Sequence, residues 1–349
     1  MNINELEQRR NKILEIVIEA YVSTAVPVGS ELVAKKLRSS LSSATIRNIM
    51  VELEQAGLLE QPHTSAGRVP TDRGYRFYVD SVMETRSVSP EQVRQIAASI
   101  QIADADVEHL LERAGEALSE LTQQAAFVVA PTVKHSTVKQ IELVPLSVRR
   151  VLCVMVANEE IIASHVVEIT EPMTREEVVA LARFLNTELV GMPFSDLLDS
   201  LERRMLAQTD SFHYLIKRSL DILQHALSTE PSERLLWEGM SHMVSQPEFQ
   251  RDPYRAHQLL RGLDAEEALL AQVRQDVAAN GVRVRIGHEV QVAGLEECSY
   301  VTAPFVIGHE VAGGVGILGP KRMDYSRMRA LVEAVGQSVT DLLTHWNEG

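Results

Sequence analysis

The segment Leu41–Asp80, LSSATIRNIMVELEQAGLLEQPHTSAGRVPTDRGYRFYVD, constrains the fold more than any other part of the chain. Ile46, Ile49, Met50 and Leu53 recur at helical spacing, which predicts a helix to about Gln55 with Gly57 just beyond its end. Ser42 or Ser43 is placed to cap its start. Leu58 and Leu59 then begin a strand, His63–Gly67 supplies a small polar hairpin tip, and Val69 starts the return. Upstream, Ile13, Ile16, Val17 and Ala20 mark a first amphipathic helix that ends before Pro27. A short second helix follows, with Ser30 placed to cap it, Glu31 in its first turn, and Val33 and Leu37 on one face. Arg38–Ser42 is the turn between the second and third helices. Three helices and a hairpin in this order form the pattern of a winged helix-turn-helix.

A third helix presented in this way puts its N-terminal turn into the major groove, where small and hydrogen-bonding side chains approach base edges. Ser43, Thr45, Arg47 and Asn48 are the expected reading set. Lys35 and Lys36 on the second helix, His63, Thr64 and Ser65 at the hairpin tip, and Arg68 at its base complete the expected DNA face. A solvated helix surface is the competing reading of Lys35 and Lys36. The whole chain has a formal net charge of -14, which alone would repel a polyanion. That charge is unevenly placed: residues 1–86 hold 11 basic and 11 acidic side chains, so the rest of the chain carries the whole excess. Between Ala34 and Val51 there are four basic residues and no acid, and Arg68 is the sole charge from Gln61 to Thr71.

The runs SSATIRNIM, LEQAGLLEQPHTSAGR and PTDRGYRFYVD resemble the N-terminal signature of the HrcA-type heat-inducible transcription repressors. Gly319-Pro320-Lys321-Arg322-Met323-Asp324-Tyr325 resembles the C-terminal signature of that family. So do Leu236-Trp237-Glu238-Gly239-Met240 and Ser245-Gln246-Pro247-Glu248-Phe249 in the middle, so the resemblance spans essentially the whole chain. One departure is His288-Glu289-Val290, where the pattern leads one to expect Glu-Asn. The resemblance implies a homodimeric repressor of chaperone operons that reads an inverted repeat and loses activity on heat shock. It also implies a chaperonin partner that brings the repressor to its active fold. A metabolite-responsive regulator with a small effector in the sensor domain is the alternative.

A chain of 349 residues with 45% hydrophobic content suggests two or three packed domains. The segment Glu84–Pro90 loses apolar periodicity and reads as a linker, with Pro90 suited to the first turn of a new helix. Helices are expected to about Gln124, then strands over Ala126–Ala130, Val138–Val144, Val151–Val156 and Ile161–Ile169, with Asn158-Glu159 as a hairpin turn. A helix from Thr174 to about Val190 follows; strand character returns at Val282 and continues through Tyr300–Ile307 and Val311–Leu318. A last helix carries the stripe Met328, Leu331, Val332, Val335, Val339, Leu342 and Trp346.

The expected class is therefore α+β, with a winged helix-turn-helix at residues 1–86 and an α+β domain in two parts, 87–190 and 282–349. The intervening residues 191–281 are a largely helical insert. The family resemblance implies that the split domain is GAF-like and the insert a dimerisation domain. Within the insert, Phe212, Ile216, Leu220, Leu223 and Leu227 form a long apolar stripe, read either as a subunit contact or as the insert's own core.

Catalysis finds little purchase. Gly314-Val315-Gly316-Ile317-Leu318-Gly319 fits GxGxxG, but Pro320 follows and a dinucleotide fold needs a helix at the last glycine. The pentapeptides Ile286–Val290 and Ile307–Val311 each carry His-Glu, yet neighbours on a strand face opposite ways and cannot chelate together. Cys153 and Cys298 form no CxxC motif and point to a reducing compartment. No apolar run is long enough to span a bilayer, so a cytoplasmic protein without membrane contact, cofactor or metal is expected.

Overall fold

The computed structural model describes residues 3–37, 41–63, 66–84, 86–101, 107–129, 137–157, 160–169, 171–193, 196–207, 213–228, 235–279, 281–307 and 310–348. These divide into two compact units, one formed by residues 1–130 and 235–349 and the other by residues 131–234. Helices and antiparallel sheets occur in both, so the chain is α+β.

The larger unit begins with α1 (Ile3–Thr24), α2 (Ser30–Leu37) and α3 (Ser43–Gln55), followed by the hairpin strands β1 (Leu59–Glu60) and β2 (Val69–Pro70). Ser30 is the first residue of α2 rather than its cap, because the backbone amides of Leu32 and Val33 already bond to the Gly29 carbonyl. A short helix, α4 (Asp72–Phe77), leaves the hairpin and runs into a π-helical turn at Tyr78–Val82. Then come α5 (Pro90–Ile100), opened by a Ser89–Gln92 capping box with Pro90 in the first turn, α6 (Val107–Thr122), and β3 (Ala125–Val129).

The chain returns to this unit with β7 (Leu235–Glu238), preceded in sequence by the smaller unit's β4 (Val138–Ser147), β5 (Arg150–Ala157), β6 (Glu160–Glu168), α7 (Arg175–Leu189), α8 (Leu197–Ala207) and α9 (His213–Ser228). After β7 come α10 (Met240–Val244), α11 (Pro247–Gln250), α12 (Pro253–Asp264) and α13 (Glu266–Ala278). The remaining elements are β8 (Arg283–Ile286), β9 (Cys298–Ile307), β10 (Glu310–Pro320) and α14 (Tyr325–Glu348).

Five antiparallel strands among the described residues make the central sheet, in the order β7-β3-β10-β9-β8. Both faces of its middle strands are apolar, and alternation divides them cleanly. Ala126, Val128, Val301, Ala303, Val315 and Ile317 share a core with Leu331, Val332, Val335 and Val339 of α14. Their neighbours Ala125, Phe127, Val129, Tyr300 and Leu318 share another with Leu269, Val273 and Val277 of α13. Helices on both sides explain why these strands read as unbroken apolar runs instead of alternating ones.

The smaller unit is the antiparallel sheet β4-β5-β6 with α7, α8 and α9. Ile141, Cys153, Met155 and Val167 from the sheet pack with Leu181, Leu185 and Leu189 of α7 and with α9. The Asn186 side chain accepts a hydrogen bond from the Ile141 amide at 2.9 Å and donates to its carbonyl at 2.6 Å, tying α7 to the outer edge of β4.

Several sequence expectations change here. The strands from Ala125 to Glu168 do not form one group: β3 joins the central sheet while β4, β5 and β6 form their own. The compact units consequently divide at 130/131 and 234/235, away from the 190/191 and 281/282 boundaries, because α10–α13 pack on the central sheet. Strand β7, inside LLWEGM, lies in the stretch read as helical excursion. Ile216, Leu220 and Leu223 are buried in the smaller unit's own core, so the chain itself covers this part of the stripe. Phe212 and the Leu227 side chain lie outside what the structure describes, as do Asn158 and Glu159. The GxGxxG run lies within β10, and Gly287–Glu289 is a 3₁₀ turn at the end of β8 instead of strand.

Candidate nucleic-acid interface

The N-terminal module is built around a small core of Ile13, Leu14, Val17, Val33, Ile46, Met50, Leu53 and Leu59, all buried. It holds α2 against α3, and the buried Ser30 hydroxyl lies 2.9 Å from that of Ser43, fixing the two helix starts together. Helix α3 is capped by Ser42, whose hydroxyl accepts from the Thr45 amide at 3.1 Å and lies 2.9 Å from the Thr45 hydroxyl. At the other end Gly57 takes a left-handed φ of 72°, which turns the chain into β1.

With Ile46, Met50 and Leu53 directed inward, the opposite side of α3 is open to solvent. Ala44, Thr45, Arg47 and Asn48 are exposed there, as are Lys35 and Lys36 on α2. Among the described residues, no ion pair or side-chain hydrogen bond holds Lys35, Lys36, Arg47 or Asn48. Of the residues expected to read DNA, Thr45, Arg47 and Asn48 are thus exposed on α3, although Ser43 and Thr45 are partly engaged. Ser43 is half-buried against Ser30, and the Thr45 hydroxyl is shared with the cap.

The hairpin is fastened at its base and at its loop. Val28 and Arg68 form an isolated antiparallel bridge, with amide to carbonyl distances of 2.9 Å in both directions. Gln61 Nε2 donates to the Ala66 carbonyl at 2.9 Å, closing the loop. His63 is exposed; Thr64 and Ser65 lie outside the described residues.

Arg68 already has a partner within the chain. Its Nε donates to Glu54 Oε2 at 2.9 Å, its Nη2 lies 2.8 Å from the same oxygen, and its side chain is only 15% exposed. The guanidinium therefore ties the hairpin base to the end of α3 and is already neutralised by a carboxylate, which leaves it poorly placed to meet phosphate. Sequence inspection missed this partner: the residues are fourteen apart, and no local periodicity links a helix end to the second strand of a hairpin. Ser42, exposed at the same helix start, was read only as a cap.

Both cysteines are buried, and burial pushes the Cys153 thiol up to about 12 and raises that of Cys298, disfavouring the reactive thiolate. Among the described residues, no group of three or more His, Cys, Asp or Glu side chains is arranged to hold a metal ion. Nor is any helix among them long and apolar enough to cross a membrane.

Residues 108–328 match the family described as HrcA protein C terminal domain. The heat-inducible transcription repressor HrcA of Symbiobacterium thermophilum is 34% identical over 337 residues, covering 97% of this chain and 98% of that one. The repressor of the same name from Moorella thermoacetica is 34% identical over 342 residues, with coverage of 97% and 99%. That from Geobacter sulfurreducens is 32% identical over 341 residues, with coverage of 98% and 99%. The crystal structure of a protein described only as hypothetical aligns over 97% of this chain and 98% of its own, with a TM-score of 0.61 and 24% identity, so the likeness there is one of fold.

Proposed function

The chain belongs to the HrcA family of heat-inducible transcription repressors, and from that premise we propose that its N-terminal module is a winged helix-turn-helix that reads an inverted-repeat operator of chaperone genes as a homodimer. The observation that carries this reading is the exposure of Lys35, Lys36, Arg47 and Asn48 on α2 and α3, with no acidic partner among the described residues, in a chain whose net charge is -14. The lysines answer the phosphates, while Thr45, Arg47 and Asn48 address base edges. Arg68 acts at one remove, by fixing the hairpin.

Pairing two such modules supplies the contact area and the symmetry that a single small reader lacks. In this reading the remainder of the larger unit is a GAF-like domain, interrupted by a segment that carries the subunit contact. The buried members of the α9 stripe leave that contact to other residues.

Control by a chaperonin is part of the same proposal. The central sheet pairs β3 with β10 and β7, whose sequence positions lie far apart, and such non-local pairing folds slowly and exposes strand edges on the way. Heat stress draws the chaperonin to other unfolded chains, and the repressor then fails to reach its active fold.

A small-molecule effector is the second reading. A cleft of about 480 Å³ lined by Arg76, Gln275, Asp276, Arg283, Arg285 and Glu289 offers it a place. Arg285 is already bonded to Asp276 and Arg76 to Glu289, which favours the chaperonin reading over capture of an anion.

The test is selection of duplexes from a random-sequence library by the full chain, followed by titration of the selected DNA with protein refolded alone or with chaperonin. The expected result is an inverted repeat that recurs at chaperone promoters, with chaperonin raising the active fraction and leaving the affinity of active molecules unchanged. Selected DNA without two-fold symmetry overturns the dimeric reading, and a full active fraction without chaperonin overturns the control.

A further inference from the structure

Helix α4 is only six residues long, yet it is fastened on two sides. On the module side, the Thr71 hydroxyl caps it by accepting from the Gly74 amide at 3.0 Å and donates to the Gly57 carbonyl at 2.7 Å. The Thr71 amide also donates to the Leu58 carbonyl at 3.2 Å. Helix α4 thus moves with the hairpin and with the end of α3.

On the other side, it meets two separate segments of the sheet domain. Arg76 Nε donates to Glu289 Oε1 at 2.8 Å, its Nη2 donates to Glu289 Oε2, and the same Nη2 donates to the Val284 carbonyl at 2.6 Å. Asp72 uses both carboxylate oxygens, one 3.0 Å from Lys321 Nζ and the other accepting the His288 amide at 3.1 Å. Between these pairs the Tyr75 ring meets Tyr325 edge-on, with centroids 5.7 Å apart. A further tie runs from Arg322, whose Nη1 donates to the Val22 carbonyl in α1 at 2.6 Å and whose Nε donates to Glu248.

The chain is shaped to permit these contacts. Gly287 has a φ of 54°, and a Cβ there would lie 2.0 Å from Asp72 Oδ2, so the carboxylate occupies the space a side chain would need. Glu289 is itself oriented by accepting the Ile286 amide at 3.0 Å. Burial works against the Lys321 charge, but Glu297 and Asp72 outweigh it and hold the ammonium above its ordinary range. Asp72, Tyr75 and Arg76 come from PTDRGYRFYVD; Lys321, Arg322 and Tyr325 come from GPKRMDY. The motifs quoted from opposite ends of the chain thus close on one another.

These ion pairs are a quarter to a third exposed, a setting in which each adds little to stability. Their combined geometry is a different matter. Bidentate and charge-assisted bonds from two segments, set around an aromatic contact, define an orientation, which one apolar patch would leave adjustable.

We propose that α4 is a rigid strut, and that Asp72, Arg76, Glu289 and Lys321 are positioning residues that set the half-site spacing the repressor accepts. The inference rests on the dimeric reading above. If the sheet domain belongs to the dimer framework, the strut fixes how far apart and at what angle the two α3 helices are presented. Changing a spacer by two base pairs turns one half-site by about 70° about the DNA axis, which a rigid pair of readers cannot follow.

The variants are Glu289→Gln and Asp72→Asn, which keep size and shape. The Gln amide sets a donor against Arg76 or the Ile286 amide, and the Asn amide can satisfy only one of the two donors that Asp72 now serves. Full-length proteins are titrated, counting active molecules only, against the selected operator, against versions with the spacer lengthened or shortened by one and two base pairs, and against a single half-site. The wild type is expected to lose about hundredfold in affinity on a two-base-pair change, whereas each variant loses about tenfold on the native spacer and little more on the altered ones. Half-site affinity should stay within about twofold of the wild type, which marks the reading surface as intact.

Variants that keep the wild-type spacing ratio overturn the strut, as does an equal loss on half-site and operator, which would assign these residues to the fold of the module. A wild type indifferent to spacing overturns the inverted-repeat reading itself.

Discussion

On the α2–α3 face of the N-terminal module, Lys35, Lys36 and Arg47 extend into solvent with no acidic partner among the described residues. On the α4 face, Arg76 is bound to Glu289 and Asp80, and at the hairpin base Arg68 is bound to Glu54. The residue types are alike and the sequence separates them by only a few tens of positions. Their surroundings differ: a cation held in a two-point bond by its own chain has spent its directionality there, while a solvated one can exchange water and counterions for phosphate. Counting basic residues therefore overstates the proposed interface, which is better bounded by asking which carboxylate each one has met.

The largest expected effect comes from breaking the packed side. Gly74 lies against the residue that precedes β1, and a Cβ there would lie 2.0 Å from the Leu58 carbonyl oxygen. Backbone cannot rotate away as a side chain could, so Gly74→Ala must displace α4 from the hairpin. The cost should reach the upper end of the ~1–3 kcal/mol range for overpacking, although alanine returns about 1 kcal/mol of helix propensity. Thermal unfolding of the full chain measures it. An unchanged melting temperature would mean that α4 is loosely seated, and the contrast between the two faces would fail.

Next comes the open side. Asn48→Ala removes an exposed side chain with no partner among the described residues, so the fold should be unaffected. Affinity for the specific operator should fall by roughly 1–3 kcal/mol, with little change on random DNA, as for a lost base contact. Equal losses on both DNAs would move Asn48 from base reading to backbone contact.

What the sequence disclosed about these faces, and what it withheld, follows from the range of the interactions. Helices α1 and α3 and the Ser42 cap are set by residues three and four apart, and their limits are visible in the apolar stripe and in Gly57. The exposure of Arg47 and Asn48 follows from the same stripe, since Ile46, Met50 and Leu53 claim the other side. The partners that hold Arg68, Asp72 and Arg76 in place do not follow, because they are brought in by tertiary contacts, for Asp72 and Arg76 from more than two hundred residues away. Strand β7 was hidden for a related reason: four residues, LLWE, bear no period of their own and become a strand by pairing with β3. The α9 stripe was visible, but a stripe does not say what covers it; here β6, α7 and α8 do.

The smallest expected effect separates the two kinds of cation directly. Lys35→Ala and Lys36→Ala each remove an exposed ammonium, so each should lower the slope of log K against log salt by about one. Between 50 and 200 mM salt that is about a threefold smaller loss of affinity per lysine, on operator and random DNA alike. Arg68→Ala should leave the salt slope unchanged, because its charge is already balanced by Glu54 and no phosphate counterions are released on its account. Its loss should instead appear in the protein. With the arginine gone, a half-buried Glu54 carboxylate is left without its cation and the hairpin without its tie to α3, so the melting temperature should fall. If Arg68→Ala lowers the slope by one as the lysines do, the arginine must leave Glu54 for phosphate when DNA arrives. The boundary of the interface would then have to be drawn at the hairpin base instead of at α3.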